Sequence, residues 1–434
     1  MTIPDGYHEV RLGPQDQRRA TVMDAWAFPT GKDVAALEKI PMPFDWDRSY
    51  ALVADEDETE DGTGDSLPPL AAIHASYDFS RFTVPGGTAA TSGLTWVGVH
   101  PAHRRRGILT AMIDEHFARS LHRGEVLSAL YAAETAIYGR FGYAQAAEEV
   151  RLTVPRKAAL RPVEGSADHR VRVELVDPDR HAALAERLHQ RAAQDVGGTG
   201  LDRPGWAARQ SDRVRTAVWS DPPELRDGQE SARIVTVWRD GEPRGYATFR
   251  RKEDWRPEGP RGTVHVREAV ALDGAATHAL WSVLLDMDHT ATVVPRRLAP
   301  DDALLTLLVD PRAALPQRYD NVWVRLLDLP AALRARRYAA DVDVVLEVTD
   351  ARLTQNAGRW RLRAAAFAEP TVERTSDAAD VELDTRELAA AYLGSGTLVP
   401  AAAAGLVRER TPGALARTAA AFTWPVAPFC SWVF

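Results

Sequence analysis

The sequence predicts a mixed α/β (α+β, mixed-sheet) chain with three domains, and three observations support this prediction. Short apolar runs rich in β-branched residues alternate with segments of helical periodicity, as expected for mixed sheets covered by helices. The pattern of residues 1–155 repeats in outline over residues 156–318, and a different pattern begins at residue 319. A chain of 434 residues is also long enough for about two to four domains.

The predicted elements alternate along the whole chain, and prolines and glycines separate them. We predict strands at residues 10–12, 50–54, 70–79, 91–99, 126–131, 171–175, 234–238, 245–250, 264–272, 322–327, 342–349, 360–363 and 381–383. We predict helices at residues 14–28, from 108, from 178, at 275–285, from 329, and at 385–392, 400–406 and 412–422. The acidic segment 55–66 has too little apolar content to order itself, so we expect a mobile loop there.

The composition is that of an ordinary globular protein. Apolar residues make up 45% of the chain, which is enough for several cores. A net charge of −8 argues against a general nucleic-acid binder, which needs an extended basic surface, and it suits a cationic substrate. The single cysteine, Cys430, excludes a disulfide framework and a cysteine-rich zinc site. With no apolar signal region and no apolar run of spanning length, we expect a cytoplasmic protein without membrane association.

The most informative stretch runs from residue 96 to residue 143. Residues 96–99 form a β-rich run that ends at His100-Pro101, since proline cannot continue a central ladder. The apolar residues from 108 onwards have helical spacing. The loop between strand and helix contains R-R-R-G, so unpaired backbone N–H groups, the helix dipole and three arginines combine into an anion site. A pyrophosphate is the ligand that such a site suits.

Three arginines alone would also fit a solvated basic turn or a nucleic-acid patch. Two features favour the anion site. The arginines open a helix directly after an apolar strand, and a second strand follows, at residues 126–131. That strand leads into an unusual aromatic-glycine turn, Y-G-R-F-G-Y, at residues 138–143.

These motifs identify a known family. The run V-x-V-x-P-x-x-R-R-R-G-I-L followed by Y-G-R-F-G-Y resembles the GNAT N-acetyltransferases, and specifically their Eis (enhanced intracellular survival) branch. Arg104, Gly107 and Leu109 match the GNAT signature Gln/Arg-x-x-Gly-x-Gly/Ala, with a last position that departs from the broad family and is similar to the Eis form. The resemblance implies a catalytic GNAT domain at 1–155, a degenerate GNAT-like domain at 156–318 and a sterol-carrier-protein-like domain at 319–434.

The resemblance also implies acetyl-CoA as cosubstrate and assigns its contacts. The expected backbone contacts to pantetheine come from Val97, Gly98, Val99, Ala133 and Glu134. The expected pyrophosphate contacts come from Arg104, Arg105, Arg106, Gly107, Ile108, Leu109 and Thr110. In the second domain the corresponding loop is D-G-A-A at residues 273–276, with no arginine and with an aspartate that would repel phosphate. We therefore expect that domain to have lost coenzyme binding.

Two residues are expected to carry the chemistry. In GNAT enzymes a tyrosine after the fifth strand protonates the departing thiolate, and Tyr138 matches it; Tyr143 is the alternative within the motif, with a structural role favoured. In Eis proteins the terminal carboxylate is the general base, and Phe434 ends this chain. A carboxylate with a reference pKa of about 3.5 needs a water relay or a raised pKa to accept a proton from an ammonium. Simple packing is the alternative for both Tyr138 and Phe434.

The acceptors implied by the resemblance are primary amines of polycationic molecules, either aminoglycosides or the lysine side chains of peptides. Trp26, Phe28 and Trp96 are expected to line the acceptor pocket, with core packing as the alternative. The uncharged penultimate residue, Val433, leaves aminoglycoside use open. The resemblance further implies a homohexamer, and we expect neither a nucleic acid nor a membrane as partner.

A function from another class also remains open. The chain could be a non-catalytic acyl-CoA- or lipid-binding protein in which the C-terminal domain acts, although Tyr138 and Phe434 favour the enzyme. His100, His103, His116 and His122 do not form a ligand set, so no metal is expected.

Overall fold

The computed structural model describes residues 3–58 and 68–434. The acidic segment 55–66, for which the sequence predicts a mobile loop, lies for the most part outside the described residues. No helix within these two ranges is long and apolar enough to cross a bilayer.

The N-terminal third of the chain supplies most of the first sheet. Its strands are β1 (Tyr7–Arg11), β2 (Ser49–Ala54), β3 (Ala72–Val84), β4 (Gly87–Val99), β5 (Leu127–Tyr131) and β6 (Ala144–Gln145). Its helices are α1 (Gln17–Ala27), α2 (Val34–Leu37), α3 (Ile108–His122) and α4 (Thr135–Tyr138).

The middle of the chain supplies the second sheet and two smaller strand pairs. Its strands are β7 (Glu148–Arg151), β8 (Val154–Pro155), β9 (Arg170–Leu175), β10 (Arg233–Arg239), β11 (Glu242–Lys252), β12 (Trp255–Arg256), β13 (Gly259–Pro260), β14 (Gly262–Ala271), β15 (Thr290–Pro295) and β16 (Gln317–Asp320). Its helices are α5 (Pro178–Ala192), α6 (Asp212–Trp219), α7 (Gly274–Leu285) and α8 (Ala303–Leu307).

The last part of the chain contains one strand of the first sheet and all strands of a third sheet. The strand of the first sheet is β17 (Val322–Leu326). The strands of the third sheet are β18 (Val342–Thr349), β19 (Gly358–Ala364), β20 (Thr371–Arg374), β21 (Val381–Asp384) and β22 (Val407–Glu409). The helices in this part of the chain are α9 (Leu329–Ala335), α10 (Thr385–Ala391), α11 (Leu398–Ala403) and α12 (Ala414–Phe422). The third sheet has the order β20-β19-β18-β21-β22.

The first two sheets share one plan, as the sequence repeat predicts. The first has the order β1-β2-β3-β4-β5-β17-β6, and the second has the order β8-β15-β14-β11-β10-β9. In each, an antiparallel meander leads to a parallel pair, β4 with β5 and β14 with β15, whose crossover contains one helix, α3 or α7. Mixed sheets of this kind confirm the predicted fold class.

The position of β17 differs from the sequence prediction. The pattern places residues 322–327 at the start of the third domain, whereas β17 pairs with β5 on one side and with β6 on the other, inside the first sheet. All five of its residues are buried, as in a central strand covered on both faces. The first sheet is therefore completed by a strand that follows the whole second domain in the chain.

A buried ion pair joins β17 to the C-terminal domain. The Arg325 guanidinium donates hydrogen bonds to both carboxylate oxygens of Asp350, at 2.8 and 2.7 Å, and to the Thr385 hydroxyl at 2.9 Å. Arg325 is 0% exposed and the Asp350 side chain 2%. The Asn356 side chain also donates to Asp350, at 3.2 Å. This network holds the first and third sheets together.

Replacing Asp350 with alanine is expected to lower the free energy of unfolding by about 3–5 kcal/mol, because it leaves the Arg325 guanidinium inside the protein without its counter-ion. Asp343→Ala is the matched control: it removes an exposed pair with Arg361, and should cost at most about 1 kcal/mol. Urea unfolding followed by circular dichroism measures both. Equal effects of the two substitutions would contradict the role given to the buried pair.

Candidate active site

The parallel pair in the first sheet opens into a cleft. β4 and β5 pair only over residues 91–93 and 127–129. Beyond this point β4 remains bonded to β3, and β5 remains bonded to β17, so the two facing edges keep unpaired backbone groups. Such edges suit an extended ligand that hydrogen-bonds like a strand. The predicted pantetheine contacts flank this opening: Val97, Gly98 and Val99 end β4, and Ala133 and Glu134 follow β5.

A backbone irregularity shapes the β4 edge of the cleft. Trp96 has φ +52°, and neither Trp96 nor Val97 has a partner on β3, where the register shifts. A positive φ at a non-glycine residue is strained and persists only where its surroundings impose it. This bulge takes Val97 out of the paired register of β3 and β4, at the edge that borders the cleft.

The arginine loop leads from β4 to the start of α3. Arg104, Arg105 and Arg106 are exposed, and Arg106 donates a 2.8 Å hydrogen bond to the Tyr7 hydroxyl. Gly107 has φ +85° and precedes a helix whose first backbone bond joins the Ala111 amide to the Gly107 carbonyl. The amides of Ile108, Leu109 and Thr110 are thus unused by the helix. The loop therefore combines free N–H groups with positive charge, as an anion site requires.

Tyr138 lies at the end of α4, directly after the β5 edge of the cleft. It is 9% exposed and packs with the cluster of apolar residues between α3 and the sheet. Burial, with a smaller effect of Glu134, raises the pKa of Tyr138 to about 12. The hydroxyl therefore keeps its proton at every pH near neutrality.

Tyr143, the second tyrosine of the motif, is bound into a buried chain of polar groups. Its hydroxyl lies 2.7 Å from the Ser128 hydroxyl, which lies 2.8 Å from His116 Nε2. Tyr143 is fully buried, and its ring centroid lies 5.9 Å from that of Tyr138. Burial lowers the pKa of His116 well below its usual value, so this histidine is neutral. This arrangement favours a structural role for Tyr143, behind Tyr138.

The chain terminus lies on the opposite face of the first sheet, beside β5. The Phe434 ring is 4.8 Å from the ring of Phe79 and 5.4 Å from that of Tyr131, and the residue is 9% exposed. Tyr131 is the last residue of β5, and Tyr138 follows it within one short helix. The terminus and Tyr138 are therefore both near the end of the same strand.

Two sets of hydrogen bonds hold the terminal segment, residues 427–434. Against the first sheet, the Cys430 amide donates to Asn321 Oδ1 at 2.8 Å, and the Cys430 carbonyl accepts from Asn321 Nδ2 at 3.1 Å and from Tyr131 at 2.9 Å. Against the second domain, the partners are Arg203 and Asp301 for Ala427, Pro204 for Phe429, His189 for Ser431 and Ala207 for Trp432. Every one of these contacts fixes the path that leads to Phe434.

The second domain also has an opening between two parallel strands, and the terminal segment lines part of it. β14 pairs with β15 only as far as Val266, and a cavity of about 260 Å³ in the opening is lined in part by Phe429 and Ser431 of the terminal segment. At the start of α7 the Asp273 carboxylate accepts a 2.8 Å hydrogen bond from an amide and a 2.6 Å bond from Arg244. The start of α7 thus carries a carboxylate, where the start of α3 is preceded by the arginine loop.

The predicted acceptor residues surround the end of β4 but differ in their contacts. Trp26 is 57% exposed and its ring lies 5.1 Å from that of His100. Phe28 is half-buried at the end of α1, which packs so closely on β4 that a Cβ at Gly98 would lie 2.8 Å from that of Ala27. Trp96 packs on Phe44 at 5.0 Å, so it also belongs to the core.

Asp24 on α1 is a candidate that the sequence pattern does not single out. Its carboxylate accepts no hydrogen bond from any residue within 3–58 or 68–434, and it is half-buried near the aromatic residues of the α1 terminus. Burial raises the pKa of Asp24 to about 6. A lone acidic residue in a helix gives no sequence signal of this kind. Its desolvation becomes visible only when α1 is packed on the sheet.

Comparisons with known proteins agree with this architecture. Residues 59–146 and residues 205–326 each match a family profile described as "Acetyltransferase (GNAT) domain", and residues 329–431 match one described as "Sterol carrier protein domain". The boundary between the last two matches falls between β17 and α9.

Similar proteins extend over most of the chain. An uncharacterized N-acetyltransferase of Streptomyces avermitilis is 41% identical over 83% of this chain and 86% of its own length. The N-acetyltransferase Eis of Mycobacterium tuberculosis is 35% identical over 80% of this chain and 82% of its own length. The crystal structure of Eis1 from Mycobacterium abscessus superposes with a TM-score of 0.76 at 27% identity, covering 98% of this chain and 100% of that one.

Asp24→Asn is expected to stabilise the protein above pH 6. An unperturbed aspartate has a pKa of 3.8, whereas that of Asp24 in the folded chain is about 6, so the unfolded chain loses this proton first as pH rises. Wild type should therefore lose up to about 3 kcal/mol relative to the variant between about pH 4 and pH 6, and this difference should persist above pH 6. Chemical unfolding at several pH values measures it.

Asp33→Asn is the matched control, because Asp33 is exposed and its side chain caps no helix. Its unfolding free energy should follow that of wild type at every pH. A pH-independent difference between wild type and Asp24→Asn would contradict the desolvation of Asp24.

Proposed function

Because the chain belongs to the Eis family of GNAT N-acetyltransferases, we propose that it transfers the acetyl group of acetyl-CoA to a primary amine, with Tyr138 as general acid and the Phe434 carboxylate as general base. The observation that supports this proposal is that Phe434 contacts Tyr131, the last residue of β5, and Tyr138 follows β5 in the chain, beside an open parallel strand pair. GNAT acetyltransferases generally use acetyl-CoA, and the arginine loop and the free strand edges suit its pyrophosphate and pantetheine groups.

The reaction is an exchange of one bond for another. Acetyl-CoA supplies a thioester, whose C–S bond breaks as the amine nitrogen bonds to the acetyl carbon, giving an amide and a thiol. The Val97 amide, which lies at the bulge outside the paired register of β3 and β4, is suited to hold the oxygen that gains negative charge. The Arg104–Arg106 loop and the first α3 amides would anchor the phosphates and so fix the thioester in the cleft.

Tyr138 is proposed to act on the leaving sulfur. With a pKa of about 12, its hydroxyl is a stable hydrogen-bond donor at neutral pH. A thiolate has a reference pKa of about 8.5, so full transfer of the Tyr138 proton is unfavourable until another proton replaces it. The hydrogen bond from Tyr138 therefore stabilises the developing thiolate, and the proton released by the amine completes the thiol.

The Phe434 carboxylate is proposed to accept the proton of the incoming amine. An alkyl ammonium has a reference pKa of about 10, far above that of a terminal carboxylate, so a water relay or a raised carboxylate pKa is needed. The two sets of hydrogen bonds to the terminal segment support this role, because they hold the backbone of the residues that directly precede Phe434.

The acceptor is proposed to be a primary amine, and the polycationic class remains a prediction from the sequence. Asp24, beside the aromatic residues of α1, is suited to bind an ammonium group. We also propose a homo-oligomer, with the homohexamer as the expected state. The edge strand β9 exposes Val173 and Leu175 at 45% and 57%, and apolar edge strands are commonly covered by another subunit.

The alternative function, lipid or acyl binding by the C-terminal domain, has less support. The centre of that domain holds Arg336, which is fully buried and donates to the carbonyls of Ala391 and Phe422. The rings of Tyr338, Tyr392 and Phe422 surround its guanidinium at 4.7 to 5.8 Å. A charged group at this place is unfavourable for an acyl chain.

Thiol release from acetyl-CoA tests the proposed function with a panel of amines: kanamycin, neomycin, spermidine and lysine peptides. Tyr138→Phe should lower kcat by about 100-fold, the usual loss when one general acid is removed. Tyr319→Phe is the matched control, since that tyrosine is exposed on β16, and it should retain full activity. Unchanged kcat in Tyr138→Phe would exclude the general acid, and no thiol release with any amine would exclude the transferase.

Extending the chain by one glycine after Phe434 should lower kcat by about 100-fold as well. The added residue keeps the phenylalanine ring but moves the carboxylate by about 3.5 Å, the length of one extended residue. Chemical amidation of Phe434 keeps the position and removes the charge, so it should give the same loss. Full activity of both forms would exclude the carboxylate base and leave the transferase intact.

Asn321→Ala should lower kcat while the KM for acetyl-CoA stays unchanged. The substitution removes both hydrogen bonds to the Cys430 backbone and so releases the segment that ends in Phe434. Two buried hydrogen bonds are worth about 1–3 kcal/mol together, so a loss of about tenfold in kcat is expected. A rise in the KM for acetyl-CoA instead would mean that Asn321 supports the coenzyme side of the cleft.

A further inference from the structure

A second cavity, of about 400 Å³, lies between the second sheet and the terminal segment. β11 and β14 form one wall, α6 and the residues after it form another, and Ser431, Trp432 and Val433 form a third. The cavity therefore ends one residue before Phe434. Apolar side chains contribute to its walls, among them Trp219, Phe249 and Trp432.

Five arginines line this cavity, and two of them are neutralised by carboxylates. Arg209 lies 3.1 Å from Glu186 and 3.1 Å from Glu268. Arg250 forms an ion pair with Asp221. Asp221 also pairs with Arg226, so these three arginines and three carboxylates balance one another.

The other three arginines, Arg267, Arg296 and Arg297, have no such partner. Within residues 3–58 and 68–434, no side chain forms an ion pair or a hydrogen bond with any of their guanidinium groups. The Nε atom of Arg297 is buried and has no hydrogen-bond partner among these described residues. A buried guanidinium nitrogen without an acceptor is costly, so the cavity offers unused donors and excess positive charge.

Arg267 shows the electrostatic character of the cavity. Its side chain is exposed at one end, while desolvation of its guanidinium lowers its pKa to about 10. Glu268 opposes this effect, whereas the charges of Arg250, Arg209 and Arg297 add to it. Arg267 thus lines the cavity among other cations and remains open to solvent.

The cavity is also close to the proposed chemistry. Burial raises the pKa of Tyr131, and the nearby Arg297 opposes that rise. The ring of Tyr131 contacts that of Phe434 at 5.4 Å, and its hydroxyl binds the Cys430 carbonyl. Arg297 thus connects the cationic cavity with the strand end where the terminal carboxylate lies.

We propose that this cavity binds an oxyanion group, a carboxylate or a phosphate, of the acetyl acceptor. The acceptor would be a primary amine joined to that group by an apolar linker, which the tryptophan and phenylalanine side chains would cover. Arginine suits this task because its planar fork binds two oxygens of one group. The proposal rests on the proposed transferase function, and it replaces the predicted polycationic class with an amine that also carries negative charge.

Matched pairs of amines test the proposal in the thiol-release assay. ω-Aminocarboxylates of four to eight carbons are compared with alkylamines of the same length, and ω-aminoalkyl phosphates form a second series. We expect kcat/KM to be at least tenfold higher for the best acidic amine than for its uncharged partner. The two acidic series distinguish a carboxylate subsite from a phosphate subsite.

The double variant Arg267→Gln/Arg297→Gln should reduce this preference ratio towards one, because it removes two of the three unpaired charges of the cavity and keeps a polar side chain at both positions. Arg408→Gln is the matched control: Arg408 is exposed on β22, in the third sheet, and its removal should leave the ratio unchanged. Thermal unfolding shows that each variant is folded.

Three outcomes would overturn the proposal. The first is equal kcat/KM within every matched pair in the wild-type protein, and the second is an unchanged preference in the double variant. The third is a higher KM for acetyl-CoA in the double variant together with an unchanged preference, which would assign the arginines to the coenzyme. If alkylamines are acetylated in any of these cases, the proposed transferase function stands and only the oxyanion subsite is excluded. If no amine is acetylated, the transferase function itself is excluded.

Discussion

The hydrogen bonds of the terminal segment, residues 427–434, join the first sheet to the second domain. The Asn321 side chain forms hydrogen bonds with both the amide and the carbonyl of Cys430, and the Tyr131 hydroxyl of β5 donates a third bond to that carbonyl. The second domain holds the same segment through Arg203 and His189. A terminal carboxylate can act at a defined place only if the preceding residues are fixed, since a free chain end loses its position to conformational entropy. The second domain thus works as a scaffold for the first.

Local patterns predicted most of the fold, whereas long-range pairing was beyond them. The bounds of β18 coincide with the predicted strand 342–349, because alternating apolar residues record which face is buried. The place of β17 could not be predicted in the same way. Its residues indicate a buried strand, but they carry no information on which sheet the strand enters. The partners of β17 within the first sheet, β5 and β6, lie more than 170 residues before it in the chain, beyond the reach of local patterns.

The candidate active site likewise contains residues that local sequence motifs predicted and residues that they did not. The R-R-R-G and Y-G-R-F-G-Y motifs indicated the coenzyme loop and Tyr138, since each is local in sequence. Local sequence patterns did not indicate Asp24 or Arg267. The property that distinguishes each of them is a pKa shifted by desolvation, which depends on elements distant in sequence. The net charge of the chain did not predict the positive cavity, for a related reason. The overall value of −8 describes the surface, while the cavity beside the terminal segment is positive because its carboxylates are already paired.

The late position of β17 has a consequence for synthesis on the ribosome. When β5 and β6 emerge, the strand between them does not yet exist, and translation of residues 156–318 takes roughly 8–30 s at about 5–20 residues per second. During that time the first sheet keeps two unpaired edges, which are sites of aggregation. The nascent protein therefore passes through a long interval in which these edges can aggregate before β17 is available to cover them.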